Sequence, residues 1–321
     1  MTAVTPNDTD VFVVGPVRSG TSWLHTMLAE HPDLASPPET HLFANYLGPL
    51  VETWHADQRR LERALQTERA QVGFGLATVL TDDEFTALVR SWYSSVRDLI
   101  LAEKPSAHRL LEKTPDHAHW IDTVFRCVPD ASVVFMVRDP RATVRSVLSA
   151  SREEWGDWAP TSVEEATALW LASVRPYFSR KRDTRIMLVR YEDLRSDATE
   201  LERVAKFLGL ADPAQWQKTA TSAAPHERPS LVLRGDAATH RLRPYDTTGF
   251  SYHDGAPTRE LTRYELAYIC SRCRDEMHAL GYEPDAASAS FRLRAEHGIR
   301  SLRHRSERLY RSIAGRVSRR G

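Results

Sequence analysis

The feature that most constrains the fold is a short apolar run followed by a glycine-bounded turn and an amphipathic stretch. The run is VFVVG, from Val11 to Gly15, and its β-branched and aromatic residues predict a buried strand. After the turn that ends at Gly20, apolar residues recur from Thr21 to Glu30 with the spacing of a helix face. The chain therefore begins with a βα unit.

Three further apolar runs predict strands, and each precedes a helical pattern. The strands are predicted at 109–112, 132–139 and 185–191, and the helices at 116–127, 140–151 and 193–208. Strands that alternate with helices at this spacing pair in parallel and form a sheet covered on both faces. We therefore predict an α/β fold with a central parallel β-sheet flanked by helices.

The remaining segments predict a helical cap, an irregular region and one more helix. Helical patterns over 45–67 and 82–102 indicate a cap beside the sheet. Residues 225–257 contain four prolines and three glycines, which is typical of a functional or mobile loop. A helix over 260–280 is predicted to end at Gly281.

The charge is unevenly distributed along the 321 residues. The 43 Lys and Arg balance the 43 Asp and Glu, yet Phe291 to Gly321 contains ten arginines against two glutamates, so this tail carries +8 and the rest −8. We predict an α/β domain over 1–284 and a basic amphipathic helical extension over 285–321. The extension is either a solvated helix on its own domain, or a contact with a second copy or an anionic surface.

Composition excludes several classes of protein. With 41% hydrophobic and 27% charged residues, the chain has the balance of a soluble globular protein. Three cysteines are too few for a disulfide framework, which favours a reducing compartment, and Cys270 and Cys273 are expected to pack in a helix and not to hold zinc. No signal peptide or long apolar run is visible, so we expect a cytoplasmic protein without a nucleic-acid partner.

The turn after the first strand has the frame of a phosphate-binding P-loop. Its backbone N–H groups and the following helix N-terminus suit an anion, and Ser19, Thr21 and Ser22 add hydroxyl donors. Thr21 replaces the lysine that reaches the β- and γ-phosphates of a triphosphate, while Arg18 offers a forked cation for a single phosphate or sulfonate. The alternative is a turn that only joins strand to helix.

A second polar cluster follows the strand predicted at 132–139. Arg138 ends that strand and Ser146 lies two helical turns further on, with Arg141 and Arg145 between them. Ligands of open α/β sheets bind at the carboxyl ends of the strands, where these residues are expected. Taken alone, the pattern is more typical of a basic helix start on the surface.

Together the two motifs resemble those of the sulfotransferases that use 3′-phosphoadenosine 5′-phosphosulfate (PAPS). RSGTSW resembles the loop that holds the 5′-phosphosulfate, and Arg138 and Ser146 have the spacing of the residues that hold the 3′-phosphate. Further stretches that look like family landmarks are LVRYEDL at 188–194, KFLGL at 206–210 and LGYEP at 280–284. The resemblance covers about residues 10–284 and implies a P-loop-like fold with PAPS as co-substrate.

The resemblance also implies which residues bind the nucleotide. The implied 5′-side cradle is Arg18, Ser19, Gly20, Thr21 and Ser22. Trp23 would stack on the adenine and Tyr191 matches a tyrosine near the purine, although a tryptophan at such a position is more often a core residue. Where the family has a further clamp on the 3′-phosphate, this chain departs from the usual signature, and its candidates are Arg241, Arg243, Gly249 and Ser251.

The family uses either a histidine or a glutamate as its base. The histidine of a Lys-Thr-His run is absent, because the matching run here is Lys113-Thr114-Pro115. The segment HPDLASPPETHLF, residues 31–43, resembles the one that carries the glutamate in enzymes that sulfate sugars or protein tyrosines. Glu39 falls at the matching position.

Glu39 also suits the role on chemical grounds. A proline pair before it fixes an extended approach, and burial of the apolar pair 42–43 would raise its proton affinity toward a working range. His41 is the alternative base, followed by His117 and His119, which we expect to be exposed or capping histidines.

The resemblance places Lys113 beside the bridging oxygen, where its charge would stabilise the leaving group. Because a sulfuryl group carries less charge than a phosphoryl group, fixed cations could suffice, and we expect no metal. Asp139 is the one residue reminiscent of the metal-holding acid of nucleoside triphosphatases.

These observations predict a PAPS-dependent sulfotransferase. It would transfer a sulfuryl group to a hydroxyl of a small-molecule, sugar or glycoconjugate acceptor by in-line displacement, with Glu39 as general base. The alternatives are a P-loop nucleotide kinase or triphosphatase, which would bind ATP with magnesium, and a nucleotide-binding module without turnover.

Overall fold

A computed structural model describes residues 9–66, 75–153, 156–211 and 259–284. Its centre is a sheet of five parallel strands: β1 (Val11–Val14), β2 (Leu34–Ala35), β3 (Arg109–Lys113), β4 (Ser132–Val137) and β5 (Ile186–Arg190). The strand order is β2-β3-β1-β4-β5, with every neighbouring pair parallel. The predicted α/β class and parallel sheet are confirmed.

Helices flank this sheet in the described part of the chain. They are α1 (Thr21–Ala29), α2 (Gly48–Gln66), α3 (Asp82–Leu101), α4 (Ile121–Cys127), α5 (Pro140–Ala150), α6 (Val163–Arg180), α7 (Tyr191–Ser196), α8 (Ala198–Leu208), α9 (Arg263–Arg272) and α10 (Arg274–Ala279). A π-helical segment, Leu42–Leu47, leads into α2, and a 3₁₀ segment, Pro115–Trp120, leads into α4. Sequence patterns indicated these helices except α6, and they merged α7 with α8 and α9 with α10.

The alternating residues of the strands pack into two hydrophobic cores. Phe12 and Val14 of β1 belong to a core that includes residues of α2, α3, α5 and α6, whereas Val11 and Val13 belong to one that includes residues of α1 and α8. This is the period of two expected for strands covered on both faces. Tyr93 of α3 lies 6.3 Å from Phe12, measured between ring centroids, so the predicted cap is a layer on the first core.

The topology brings three chain segments to one edge of the sheet. Strands β2 and β3 lie on one side of β1 within the sheet. The chain then crosses over to the other side of β1, where β4 and β5 lie. The residues after β1, at the end of β3 and after β4 therefore meet at the carboxyl edge, around the switch point where ligands bind in such sheets. Within the described ranges, the motifs predicted for the 5′-phosphosulfate, for the 3′-phosphate and for the base lie at this edge.

Several predictions concern residues outside the described ranges. These are the clamp candidates Arg241, Arg243, Gly249 and Ser251 and the extension over 285–321 with its proposed contacts, so they stay predictions. Within the described ranges, none of the helices combines the length and apolar character needed to cross a membrane. Cys270 and Cys273 are buried as free thiols in the first core, as predicted for packing residues.

Candidate active site

The turn between β1 and α1 depends on glycine at two positions. A Cβ atom at Gly15 (φ 136°) would overlap the carbonyl oxygen of Met136 in β4, and one at Gly20 (φ 85°) would overlap the ring of Tyr191. Arg18 also has a positive φ, 65°, which is strained for a residue with a side chain. Such strain is typical of ligand-binding turns.

The same turn has polar groups available for an anion. Gly20 precedes α1 without any side chain capping the first helical amides. The hydroxyl of Ser19 is fully buried and has no hydrogen-bond partner among the described residues. Because buried polar groups are normally paired, both features fit a ligand such as a phosphate or a phosphosulfate.

Two arginines from distant segments meet beside this turn. Arg18 Nε donates to Ser146 Oγ at 3.0 Å, which joins the turn to the cluster on α5 across 128 positions. Arg138 Nη1 lies 3.5 Å from the carbonyl oxygen of Arg18. Burial lowers the pKa of the Arg18 guanidinium, and the charge of Arg138 lowers it further. An anion between the two cations would relieve this repulsion.

The predicted purine contacts form an aromatic group next to the arginines. The Tyr191 ring has the Arg138 guanidinium 4.4 Å from its centroid and the Trp23 ring edge-on at 5.9 Å. Arg195 approaches Trp23 at 5.8 Å. Trp23 also packs against the second core, so its stacking on adenine stays a prediction.

Glu39 and Lys113, predicted as the catalytic pair, lie in direct contact. Lys113 ends β3 and forms a short ion pair with Glu39 Oε1, and its ammonium donates to Ser22 Oγ at 3.2 Å. Ser22 belongs to the first turn of α1, so one lysine links the phosphate turn to the predicted base. The predicted nucleotide site and the predicted base are therefore adjacent.

Glu39 has two polar neighbours besides the buried apolar pair that follows it. The apolar pair 42–43 turns into the first core, and Glu39 instead contacts Lys113 and lies 3.6 Å from His41, measured from Oε2 to Nε2. His41 has a positive φ of 50° and a side chain 42% exposed. The Glu39 side chain is only 16% exposed, and the charged or polar groups next to its carboxylate are an ammonium and an imidazole.

Sequence reasoning missed a buried carboxylate beneath this site. Glu112 Oε1 accepts from the amide of Thr40 (3.2 Å) and from the hydroxyls of Thr40 (2.8 Å) and Thr114 (2.7 Å). His117 Nδ1 lies 2.8 Å from Glu112 Oε2. Burial acts to raise the pKa of Glu112, but His117 and the hydroxyl donors lower it to about 2.

The expectation that His117 is exposed is wrong, whereas its ring does cap an amide in the first turn of the π-helical segment Leu42–Leu47. Its side chain is fully buried, and both ring nitrogens have polar neighbours there. Nε2 accepts the Phe43 amide at 3.1 Å, while Nδ1 faces Glu112. The sequence shows a glutamate near the end of the apolar strand β3, but not which distant residues bury it together with His117. His119 is partly buried, and burial lowers its pKa although Asp116 opposes this effect.

Asp139 and Arg141 are already engaged with each other. Asp139 caps α5 by accepting the Arg141 amide at 2.8 Å, and its carboxylate also accepts the Arg141 guanidinium at 2.6 Å. The Asp139 amide in turn donates to Glu192, which also accepts the hydroxyl of Tyr282 at 2.9 Å. The LGYEP landmark thus helps to hold the turn after β4. No group of metal-binding side chains is found in the described ranges.

Acidification should destabilise the protein from about pH 6.5 downward through His25. This residue is buried against Ser36, and burial, assisted by the charge of Lys113 and opposed by Glu112, lowers its pKa from 6.5 to about 3. Between these values the unfolded chain binds more protons, so the free energy of unfolding falls by up to about 1.4 kcal/mol per pH unit. Urea unfolding at pH 7, 6 and 5 measures this.

The control is His25→Gln, which keeps a polar group near Ser36 but cannot titrate. Its free energy of unfolding should fall less steeply between pH 6.5 and 5, a window above that of Glu112. Equal slopes in both proteins would show that His25 is not the group responsible.

The sequence of this chain is similar to a known protein family and to several of its members. The model of the sulfotransferase family matches residues 10–214. The chain is 27% identical over 204 residues to the protein-tyrosine sulfotransferase of Drosophila melanogaster, covering 62% of this chain and 38% of that protein. It is 30% identical over 236 residues to the nodulation protein NoeE of Sinorhizobium fredii (strain NBRC 101917 / NGR234), covering 66% and 52%.

The chain therefore belongs to the sulfotransferase family. Among solved structures, the sulfotransferase domain from the curacin biosynthetic pathway aligns with a TM-score of 0.49 and 19% identity, over 86% of this chain and 99% of that one. The chain spans about half or less of the length of the two relatives named above.

Proposed function

We propose that this protein transfers a sulfuryl group from PAPS to a hydroxyl of an acceptor. The observation that carries the proposal is the contact of Arg18 with Ser146, which unites the phosphate turn with the second basic motif at the carboxyl edge of the sheet. The buried hydroxyl of Ser19 and the uncapped start of α1 support the same anionic ligand.

Each part of the site would have a separate task. Arg18 and the turn amides would bind the 5′-phosphosulfate, and Arg138 with Ser146 the 3′-phosphate. When bound, PAPS supplies a sulfur whose bond to the departing phosphate oxygen breaks as its bond to the acceptor oxygen forms. Glu39 would take the acceptor's proton, and Lys113 would place its charge where the phosphate oxygen departs.

The contact between Glu39 and Lys113 supports this division of roles. The Lys113 ammonium pairs with Glu39 Oε1, so the group proposed for the departing phosphate oxygen lies beside the group proposed for the acceptor's proton. The same ammonium reaches Ser22 at the first turn of α1, next to the phosphate turn. One cation therefore lies within reach of both groups between which the reaction would occur.

The acceptor would be a tyrosine, sugar or other alcohol hydroxyl. The similarity to protein-tyrosine sulfotransferases supports this class, and the base proposed at Glu39 is consistent with it. An acceptor screen with labelled PAPS over tyrosine peptides, glycosides, phenols, nucleosides and lipids would identify it. The cytoplasmic location, the division at residue 284 and the contact through the basic extension stay predictions.

Adenosine 3′,5′-bisphosphate should raise the melting temperature without added metal, and Arg138→Ala should reduce that rise. Loss of a hydrogen bond to a charged group weakens binding by about 1.5–3 kcal/mol, or about 10- to 150-fold in Kd. At a fixed ligand concentration, the rise in melting temperature becomes smaller as Kd increases. Thermal melting over a series of bisphosphate concentrations therefore measures the effect.

Arg141→Ala is the matched control. It removes the same charge from the start of α5, but this arginine already pairs with Asp139. The rise in melting temperature that the bisphosphate causes in Arg141→Ala should stay near that of the unmutated protein. No rise in the unmutated protein would contradict PAPS binding, and a rise that needs ATP with magnesium would favour the triphosphatase alternative.

A further inference from the structure

A buried carboxylate lies directly behind the proposed base and has no task in the reaction described above. Glu112 is 1% exposed and precedes Lys113 on β3. Successive residues of a strand point to opposite faces of the sheet. Lys113 accordingly reaches Ser22 on α1, while Glu112 faces Thr40 and His117 on the other side.

Two consecutive residues of one loop meet these two side chains. Glu39 pairs with Lys113, and the next residue, Thr40, donates both its amide and its hydroxyl to Glu112. The loop therefore crosses the end of β3 with one residue on each face. A slip of one residue would bring Glu39 toward Glu112, where two carboxylates would repel each other.

The strand ladder does not extend to this point. β2 pairs with β3 at Leu34 and Ala35, and the last residue of this stretch with a bridge is Ser36, three residues before Glu39. Beyond that point the His41 amide donates to Thr114 Oγ1 at 3.3 Å, and the Thr114 hydroxyl donates to Glu112.

Phe43, where the loop passes into the π-helical segment, is connected to the same carboxylate through a histidine. The Phe43 amide donates to His117, which faces the second oxygen of Glu112. The hydrogen bonds of residues 40 and 41 thus reach Glu112 directly or through Thr114, and Phe43 reaches it through the His117 ring, whose Nδ1 lies 2.8 Å from Glu112 Oε2. The positive φ of His41 fits a loop held by such surrounding bonds, since strained residues persist only where neighbours fix them.

We propose that Glu112 is a positioning residue for the general base. By holding Thr40 and Thr114 it sets the register of the loop over residues 36–43, so that Glu39 meets Lys113 at the sheet edge. The expected effect of Glu112 on kcat rests on the proposed function. Its expected effect on the order of the loop can be tested without any turnover.

The kinetic test uses two pairs of variants. Glu112→Met, which cannot accept hydrogen bonds, should lower kcat by about 100-fold, since misplacement of a reacting group by about 1 Å costs that much. Glu112→Gln keeps a carbonyl oxygen for Thr40 and should recover part of the loss. Thr40→Val should lower kcat about tenfold for one lost hydrogen bond, whereas Thr40→Ser, which keeps the hydroxyl, should not.

Two further results separate positioning from a general loss of stability. The KM for PAPS should stay unchanged in these variants. The double variant Glu112→Met with Thr40→Val should cost no more than Glu112→Met alone, because both changes break one connection. Equal kcat in Thr40→Val and Thr40→Ser, or additive losses in the double variant, would overturn the proposal. If Glu112→Met does not fold, the Thr40 pair alone decides.

The structural test is hydrogen–deuterium exchange of the peptide over residues 38–44. Exchange there should accelerate in Glu112→Met and stay unchanged in Asp10→Asn. Asp10 is another buried carboxylate with three donors, Tyr93, Arg97 and the Leu110 amide, at the opposite end of the sheet. Unchanged exchange in Glu112→Met would overturn the positioning role. Accelerated exchange in a protein without transferase activity would instead refute the proposed function alone.

Discussion

Glutamine in place of Glu39 should lower turnover about a thousandfold and leave the bisphosphate-dependent rise in melting temperature intact. An amide has nearly the size of the carboxylate but cannot take a proton at neutral pH, and general base catalysis contributes about 10²- to 10⁴-fold. The nucleotide contacts predicted at Arg18 and Arg138 do not include this side chain. Transfer of labelled sulfate to the screened acceptor and thermal melting measure the two effects.

His41→Gln is the matched control for Glu39→Gln. His41 lies in the same loop, 3.6 Å from the carboxylate, with its side chain 42% exposed. If Glu39 is the base, this variant should retain most of its turnover. Retained turnover in Glu39→Gln together with its loss in His41→Gln would assign the base to the histidine.

The fold was predictable where one local pattern decided the structure. Runs such as VFVV and SVVFMV are too apolar and too short for anything except buried strands between helices. Helix α6 was missed although Ser162 caps it by accepting the Glu165 amide, a signal that the sequence contains. β2 has only two residues, too few for a sequence pattern of their own. Its pairing with β3 is what defines it as a strand.

The candidate site was predictable in its local parts and less so in its contacts. The turn up to Ser22 has a recognisable frame, but the meeting of Arg18 with Ser146 was implied only by the family resemblance. Glu112 could not be identified from the letters LLEK, because its partner Thr40 lies 72 positions away. Burial of a polar residue depends on such distant partners, which is also why His117 was assigned to the wrong environment.

Gly20→Ala should abolish the bisphosphate-dependent rise in melting temperature. The left-handed φ of 85° costs a residue with a Cβ about 1–2 kcal/mol. The new methyl group would also come within 2.9 Å of Tyr191 Cε2, so either the ring or the turn must move. If the ring moves, the Arg138 guanidinium that lies over it loses its support. If the turn moves, the amides that would bind the anion are displaced.

Gly209→Ala separates backbone strain from damage to the site. Gly209 has a φ of 64° at the end of α8, next to Leu208, whose carbonyl accepts from Arg109 at the amino-terminal end of β3. This variant should lose a similar amount of stability from the left-handed conformation but keep the full rise with the bisphosphate. Loss of the rise in both variants would mean that strain alone explains the effect.

Adding Tyr191→Ala to Gly20→Ala tests the overlap itself. Removal of the ring relieves the contact with the new methyl group, so the double variant should be more stable than the sum of the two single losses predicts. Nucleotide binding should not return, because the ring that carries the Arg138 guanidinium is gone. Additive losses would show that the turn accommodates the methyl group without pressing on Tyr191, and that close approach of this ring is not why glycine occupies position 20.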